Sequence, residues 1–149
     1  MKKLLGSVLI VLLLISIVAF TSEKPVPMHS LEGTWELQSF YSFDDGNNIS
    51  DTIPTTEGYR QIKMYNNGKY MWTRYVPKDS VEWFGYGSYS ITVDSLVENM
   101  EYGSESMMNA AGALRQFKFE LLLGDDHFTQ ISVDEEGNRT FSENYKRLD

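Results

Sequence analysis

Cysteine is absent from the 149-residue chain. Without a thiol, the protein cannot use a cysteine nucleophile, form a disulfide or bind a metal through cysteine, and it cannot carry a lipid on an N-terminal Cys. Basic residues are also few, because 13 Lys and Arg stand against 21 Asp and Glu, for a formal net charge of −8. Nucleic-acid binding needs clustered Lys and Arg that neutralise phosphates, so this acidic composition without a basic stripe argues against a nucleic-acid partner.

Residue patterns that carry catalysis or hold cofactors are missing as well. Histidine occurs only twice, and neither acidic turn of the chain has the spacing of a calcium loop. The chain has no Gly-x-Ser-x-Gly elbow and no Gly-rich phosphate loop. We therefore predict no catalytic residue, no metal site and no cofactor.

One long hydrophobic run stands at the N-terminus. Residues 4–20 are apolar apart from one Gly and two Ser, and they follow the cationic start Met1-Lys2-Lys3. With the small residues Ala19 and Thr21 before a polar segment, this is typical of an export signal that is cleaved after Thr21. The run also has the length of a short membrane span, so an uncleaved anchor is the alternative.

This pattern predicts three segments. Residues 1–21 are a signal peptide or membrane anchor, residues 22–30 a polar linker with two prolines, and residues 31–149 one domain, long enough for a single core and too short for two. We expect the domain to be exported across the cytoplasmic membrane, either periplasmic or secreted. Membrane contact is expected only through residues 4–20, if they are retained, and the domain is expected to be a monomer.

Residues 31–149 carry the pattern of β-strands. Short segments alternate with period two, are rich in aromatic and β-branched residues, and are separated by Gly, Asn and Asp. Eight strands are predicted: Gly33–Phe43, Tyr59–Tyr65, Lys69–Val76, Trp83–Thr92, Leu96–Tyr102, Arg115–Leu123, His127–Val133 and Arg139–Arg147.

Tight turns join most of these strands. Asn66-Asn67-Gly68 and Glu135-Glu136-Gly137-Asn138 supply residues that tolerate positive φ. Sequential hairpins imply an antiparallel meander, and eight strands in so short a chain close into a barrel that leaves no sheet edge exposed. The predicted fold class is therefore all-β, an eight-stranded antiparallel up-and-down barrel. Of the two longer connections, Asp44–Gly58 is predicted as an irregular loop, and Gly103–Leu114 as one or two helical turns that form a surface connection or a lid.

Two features at opposite ends of the domain carry a family resemblance. Gly33-Thr34-Trp35 opens the first strand, and Tyr145-Lys146-Arg147-Leu148 closes the last. This resembles the lipocalin (calycin) pattern, in which a Gly-x-Trp on the first strand meets an Arg near the end of the last strand. In that pattern the indole plugs the closed end of the barrel and the guanidinium stacks across it. The resemblance thus implies a structural plug of Gly33, Trp35 and Arg147.

The segments between these ends are similar to bacterial lipocalin-like domains of exported or uncharacterised proteins. The resemblance covers nearly all of residues 31–148, and it departs from animal lipocalins in lacking cysteine and a clear long helix between the last strands. It implies a calyx-shaped cavity and carriage of a small molecule. The similar segments are Gly58–Tyr65, Tyr70–Tyr75, Gly85–Tyr89 and Glu98–Ser104.

Alternation assigns one face of each strand to the barrel interior. We place the aromatic-rich face inward, which on the third predicted strand, Lys69–Val76, selects Tyr70, Trp72 and Arg74. A buried unpaired charge costs roughly several kcal/mol. Arg74 is therefore expected either to pair with a carboxylate inside a filled barrel or to anchor a ligand's acidic or carbonyl group. The predicted ligand-binding residues are Trp72, Arg74, Tyr89, Glu98, Tyr102, Phe117, Phe119, Phe128 and Glu143.

Three functions from different classes are consistent with this sequence. The first is an exported lipocalin-like protein that binds a small hydrophobic or amphipathic molecule in the barrel. The second is a filled barrel that acts as a structural or interaction module, with Tyr75 and Trp83 outside to dock a partner protein or a glycan. The third is a small barrel enzyme that uses interior Arg74, Glu98 and Glu143. The volume of the interior cavity separates the first two.

Overall fold

The computed structural model describes residues 30–149, which form nine β-strands and one short α-helix. The predicted signal or anchor at residues 1–21 and most of the predicted linker lie outside these residues. In residues 30–149, no helix is both long and apolar enough to span a membrane. The strands are β1 (Gly33–Phe43), β2 (Ile49–Pro54), β3 (Arg60–Asn66), β4 (Lys69–Tyr75), β5 (Trp83–Ile91), β6 (Ser95–Gly103), β7 (Gln116–Leu123), β8 (His127–Val133) and β9 (Arg139–Arg147), and the helix α1 (Glu105–Ala111) follows β6.

Eight of the strands close into an antiparallel barrel, which confirms the predicted fold class. From β3 to β9 each strand pairs with the next along the chain, and β1 pairs with β3 on one side and with β9 on the other. The closing pair brings the two ends of the domain together, because Trp35 lies opposite Arg147.

The ninth strand, β2, corrects the prediction of an irregular loop at Asp44–Gly58. The first half of β1 pairs with β3, and its second half, from Ser39 to Phe43, pairs with β2 on the same edge. All six residues of β2 are exposed. A strand without a buried face has no alternation of polarity, so the periodicity on which the other strands were predicted is absent here.

Local turn and cap chemistry sets the register of the barrel wall. Asn67 and Gly68 have φ values of 49° and 73°, as the tight turn between β3 and β4 requires, and this turn places Tyr65 opposite Tyr70. Helix α1 begins after Ser104, whose side-chain oxygen accepts a hydrogen bond from the Met107 amide at 3.3 Å.

A packed aromatic core fills one end of the barrel. Trp35 is fully buried, and its ring lies edge-to-face on Phe128 with 4.9 Å between centroids. Phe128 in turn stacks on Tyr145 at 4.6 Å. The Trp35 Nε1 donates a hydrogen bond to the Leu31 carbonyl at 2.8 Å, which ties the incoming chain to this end. Helix α1 and the longer connections lie at the opposite end.

Candidate ligand cavity

The closed end of the barrel is sealed by Arg147 above the Trp35 indole. The guanidinium carbon lies 4.0 Å from the indole centroid, which is a close cation–π contact. The same guanidinium donates hydrogen bonds to the carbonyls of Glu32 at 2.6 Å, Ser30 at 2.9 Å and Asp125 at 2.9 Å. Gly33 has a φ of 131°, and a Cβ there would come within 2.3 Å of Arg147 Nη1. Gly33, Trp35 and Arg147 therefore form one unit.

A half-enclosed cavity of about 190 Å³ lies between the packed core and the other end of the barrel. Its deeper walls are buried side chains of β3, β4, β6 and β8, and its rim includes partly exposed side chains of β4, β5 and α1. The cavity is lined by Gln61, Lys63, Tyr70, Trp72, Arg74, Trp83, Glu98, Met107, Phe117, Phe119, Gln130 and Glu143.

Six of the nine side chains predicted for the cavity lie in its wall, and three lie elsewhere. Tyr89 and Phe128 point inward but belong to the packed part of the barrel, where both rings contact Tyr65 edge-to-face with centroids 4.8 and 6.1 Å away. Tyr102 lies outside the barrel. The six in the wall are Trp72, Arg74, Glu98, Phe117, Phe119 and Glu143.

The inward placement of Tyr102 is wrong because β6 contains a bulge. Gly87 pairs with Met100 and Tyr86 pairs with Tyr102, so Glu101 is an extra residue in the ladder. One extra residue moves every following side chain to the other face of the sheet. Tyr102 is consequently 53% exposed, and its ring contacts Tyr86 on the outer surface.

The outward placement of Trp83 is also wrong. Trp83 lies opposite Arg74 in the β4–β5 ladder, and directly opposed residues share a face of the sheet. Both therefore line the cavity, with the Arg74 guanidinium 5.6 Å from the Trp83 ring centroid and 5.7 Å from that of Trp72. Tyr75, the other aromatic predicted outside, is exposed.

A buried ion pair forms the floor of the cavity. Lys63 Nζ donates hydrogen bonds to both carboxylate oxygens of Glu98, at 2.9 and 3.1 Å, and to Gln130 Oε1 at 2.7 Å. The Tyr65 hydroxyl donates to Glu98 Oε1 at 2.5 Å. Lys63 and Glu98 are each only 4% exposed. Full hydrogen bonding of both charges is what makes such burial tolerable.

A second cluster surrounds the other interior carboxylate. Glu143 accepts hydrogen bonds from Gln61 Nε2 at 3.2 Å, from Gln130 Nε2 at 3.0 Å and from the Tyr145 hydroxyl at 2.6 Å. Gln61 Oε1 in turn accepts from Arg74 Nε at 2.9 Å. Gln61 thus stands between Arg74 and Glu143, and Gln130 joins this cluster to the Lys63–Glu98 pair. The polar side chains around the cavity form one connected hydrogen-bond network.

The tyrosines of this network are hydrogen-bond donors across the neutral pH range. Burial, and next the Glu98 carboxylate, raises the pKa of Tyr65 well above its usual value. Burial and then Glu143 do the same to the pKa of Tyr145. Both effects disfavour the phenolate, because the low-dielectric interior and a neighbouring negative charge each oppose a second negative charge.

Sequence reasoning missed Gln61, Lys63 and Gln130, which carry much of the network. The expectation that apolar side chains face inward and charged ones outward fails on β3, because Lys63 is buried whereas Met64 is 49% exposed. The tight turn at Asn67-Gly68 fixes the register of β3 against β4, and that register could have identified Lys63 from the sequence. Once Trp72 faces inward, its directly opposed partner Lys63 must face inward too.

The chemistry available here is recognition through hydrogen bonds and aromatic contact. Each interior carboxylate already accepts three hydrogen bonds, and Arg74 reaches Glu143 only through Gln61. Within residues 30–149, no group of three His, Asp or Glu side chains is arranged to hold a metal ion. In residues 30–149, no hydrogen bond or ion pair joins any two of Arg74, Glu98 and Glu143 directly.

Comparison with known proteins supports the fold. No family model matches the chain, and no curated protein matches it. Among solved structures, the chain is similar to the crystal structure of an uncharacterised protein from Bacteroides eggerthii DSM 20697, with 14% sequence identity and a TM-score of 0.56. The match covers 80% of this chain and 100% of that chain. At this level of identity the similarity shows a shared β-barrel fold alone.

Proposed function

We propose that residues 31–149 are a lipocalin-like domain that binds a small, largely apolar molecule in the barrel cavity. The observation that carries this proposal is the cavity of about 190 Å³, which remains open beside a packed core and has Trp72, Phe117 and Phe119 in its walls. Ligand sites are typically concave, mostly apolar and provided with a few polar groups that orient the ligand. The contact of Arg147 with Trp35 at the closed end supports the lipocalin-like assignment.

The proposal places the domain outside the cytoplasm, as a monomer. It rests on the cationic start and the apolar run of residues 4–20, which are typical of an export signal or an anchor. Ser30 and Leu31 contact Arg147 and Trp35, so the preceding chain joins the barrel at its closed end. An intact mass of the exported protein tests cleavage, because retention of residues 1–21 contradicts it.

Tryptophan fluorescence is the direct test of binding. Trp72 and Trp83 line the cavity, whereas Trp35 is buried at the closed end. Titration with a panel of fatty acids, bile acids and planar aromatic compounds is expected to give a saturable change with at least one compound. The change should fall in a Trp72→Phe variant and persist in a Trp35→Phe variant that remains folded. Absence of a response to the whole panel, together with no ligand-induced rise in melting temperature, would overturn the proposal.

An interaction module is the second candidate function, and one observation favours it. Met64, Met71, Tyr86 and Tyr102 form a row of directly opposed residues on the outer face of β3, β4, β5 and β6. Three of the four are about half-exposed, and a contiguous exposed apolar patch is typical of a binding surface. A Met71→Glu, Tyr102→Glu variant that loses a protein or glycan partner while its cavity titration is unchanged would establish this alternative.

A further inference from the structure

We propose that the ligand of the cavity is a small anion, namely a carboxylate on a single aromatic ring, with its anionic group bound by Arg74. This inference rests on the proposed function and names the chemical class of its ligand. It follows from which hydrogen-bonding groups in the cavity are still unused, from how the charged side chains are paired, and from the volume.

Arg74 is held in place but keeps most of its hydrogen-bonding capacity. Its Nε donates to Gln61 Oε1 at 2.9 Å, and its guanidinium lies near the rings of Trp72 and Trp83. The other four of its five N–H groups belong to Nη1 and Nη2. Burial raises the pKa of Tyr59, and the Arg74 guanidinium beside the Tyr59 hydroxyl opposes that rise. Tyr59 therefore engages part of the guanidinium, and the remaining Nη N–H groups make no hydrogen bond to another residue among residues 30–149. A planar guanidinium that is fixed at one edge matches a carboxylate, which it binds through two parallel hydrogen bonds.

The other unused polar groups of the cavity wall are also donors. The indole Nε1 atoms of Trp72 and Trp83 and the hydroxyl of Tyr70 have no hydrogen-bond partner in the part of the chain that the structure describes. An indole N–H only donates, and a phenol can donate. In contrast, each carboxylate of Glu98 and Glu143 already accepts three hydrogen bonds. The cavity therefore offers donors to a ligand, and a ligand that supplies acceptors completes it.

The four charged side chains of the cavity wall, two basic and two acidic, sum to zero, and their direct contacts single out Arg74. Lys63 and Glu98 neutralise each other through two hydrogen bonds. Arg74 forms no ion pair of 4.0 Å or less with any carboxylate in residues 30–149, and Glu143 is satisfied by the neutral donors Gln61, Gln130 and Tyr145. A ligand carboxylate at Arg74 supplies the missing partner. A ligand ammonium at the same position would be repelled by the Arg74 guanidinium and would not find a free acceptor beside it.

The volume inside the cavity accommodates an apolar group of about one ring. A dry cavity of roughly 150 Å³ holds a benzene molecule, and this cavity measures about 190 Å³. The difference leaves space for one carboxylate beside the ring. Drug-sized ligands occupy pockets of roughly 300–1,000 Å³, so long-chain fatty acids and bile acids exceed the space available. The aromatic walls formed by Trp72, Phe117 and Phe119 suit a flat ring.

Four probes on the purified full-length protein at pH 7 test this inference by tryptophan fluorescence. Benzoate, benzyl alcohol and benzylamine carry one ring and differ in charge, and laurate carries the anion on a long chain. Benzoate is expected to bind at least tenfold more tightly than benzyl alcohol and than laurate, and benzylamine is expected not to bind. Equal or tighter binding of benzyl alcohol or benzylamine overturns the anion assignment, and tighter binding of laurate overturns the size limit.

Two arginine variants locate the anion. Arg74→Gln should weaken benzoate binding at least roughly 10- to 100-fold, because each of the two hydrogen bonds from the guanidinium to the carboxylate contributes about that factor, and should weaken benzyl alcohol binding by a smaller factor. Arg60→Gln is the matched control, because Arg60 is exposed on the outer face and pairs with Glu36. Its benzoate affinity should equal that of the wild type. Unchanged benzoate affinity in a folded Arg74→Gln protein overturns the assignment to Arg74.

The probe series also separates this inference from the proposed function. If benzyl alcohol binds saturably and benzoate does not bind more tightly, the cavity is a ligand site but the anion inference fails. If neither these four probes nor the wider panel binds, the proposed function itself fails. Because the probe series is measured on the wild type, the result does not depend on whether Arg74→Gln folds.

Discussion

Replacement of Lys63 by methionine tests whether the ion pair on the cavity floor is essential to the folded barrel. Methionine keeps most of the apolar length of lysine but removes the ammonium. The change deletes three hydrogen bonds, two to Glu98 and one to Gln130. Glu98 then keeps only its hydrogen bond from Tyr65, in a position that is 4% exposed.

The loss in free energy of unfolding expected for Lys63→Met comes from the Glu98 carboxylate, which stays buried without its ammonium partner. Removal of one partner of a buried pair destabilises a protein by roughly 3–5 kcal/mol, because the other charge stays buried without compensation. Removal of both charges destabilises a protein much less than removal of one. A Lys63→Met, Glu98→Gln double variant should therefore recover most of the loss, with the new amide oxygen accepting from Tyr65.

Urea unfolding of the purified protein, followed by circular dichroism, gives the free energies for this double-mutant cycle. Lys69→Met provides the matched control, because Lys69 pairs with Glu101 at 2.5 Å while both side chains are about half-exposed. An exposed pair of this kind contributes up to about 1 kcal/mol. If Lys63→Met destabilises the barrel no more than Lys69→Met does, the reasoning about the buried network is refuted.

Three further predictions concern the plug, the cavity wall and the buried phenols. Trp35→Ala should lower the free energy of unfolding by roughly 3–5 kcal/mol in chemical denaturation, because the indole is fully buried, and a loss below about 1 kcal/mol would contradict the plug. In Gly85→Ala, the new Cβ would lie 2.4 Å from Trp72 Nε1, so the indole should shift, change its fluorescence and weaken ligand binding in titrations; an unchanged spectrum and affinity would count against this packing. Because burial raises the pKa values of Tyr65 and Tyr145, their stabilising effect is complete below about pH 10, the unfolded value, and is lost as the pH rises further. Absorbance at 295 nm should show fewer tyrosines ionising near pH 10 in the folded barrel than in the unfolded chain, and a full complement ionising without unfolding would disprove it.

The barrel was predictable because most of its strands bury one face and expose the other, and because tight turns join them. Alternation on β4, with the aromatic-rich face turned inward, placed Tyr70, Trp72 and Arg74 correctly inside the barrel. Strand β2 was missed because neither of its faces is buried, so its residues show no polarity pattern. Tyr102 was misplaced because a bulge has no signature in a period-two pattern.

The amino-acid pattern alone was sufficient for the fold class and the approximate strand bounds, because these depend on local turn chemistry and on side-chain alternation along one strand. The approach of Trp35 to Arg147 was implied by the resemblance of the two chain ends to the lipocalin pattern. The cavity contents required the tertiary structure. Lys63, Gln61 and Gln130 are polar residues that local rules place outside, and they become acceptable inside only because Glu98, Glu143 and Arg74 arrive from distant strands to satisfy them. A polar side chain is stable in a barrel interior when its partners are there as well, and those partners are brought together by barrel closure.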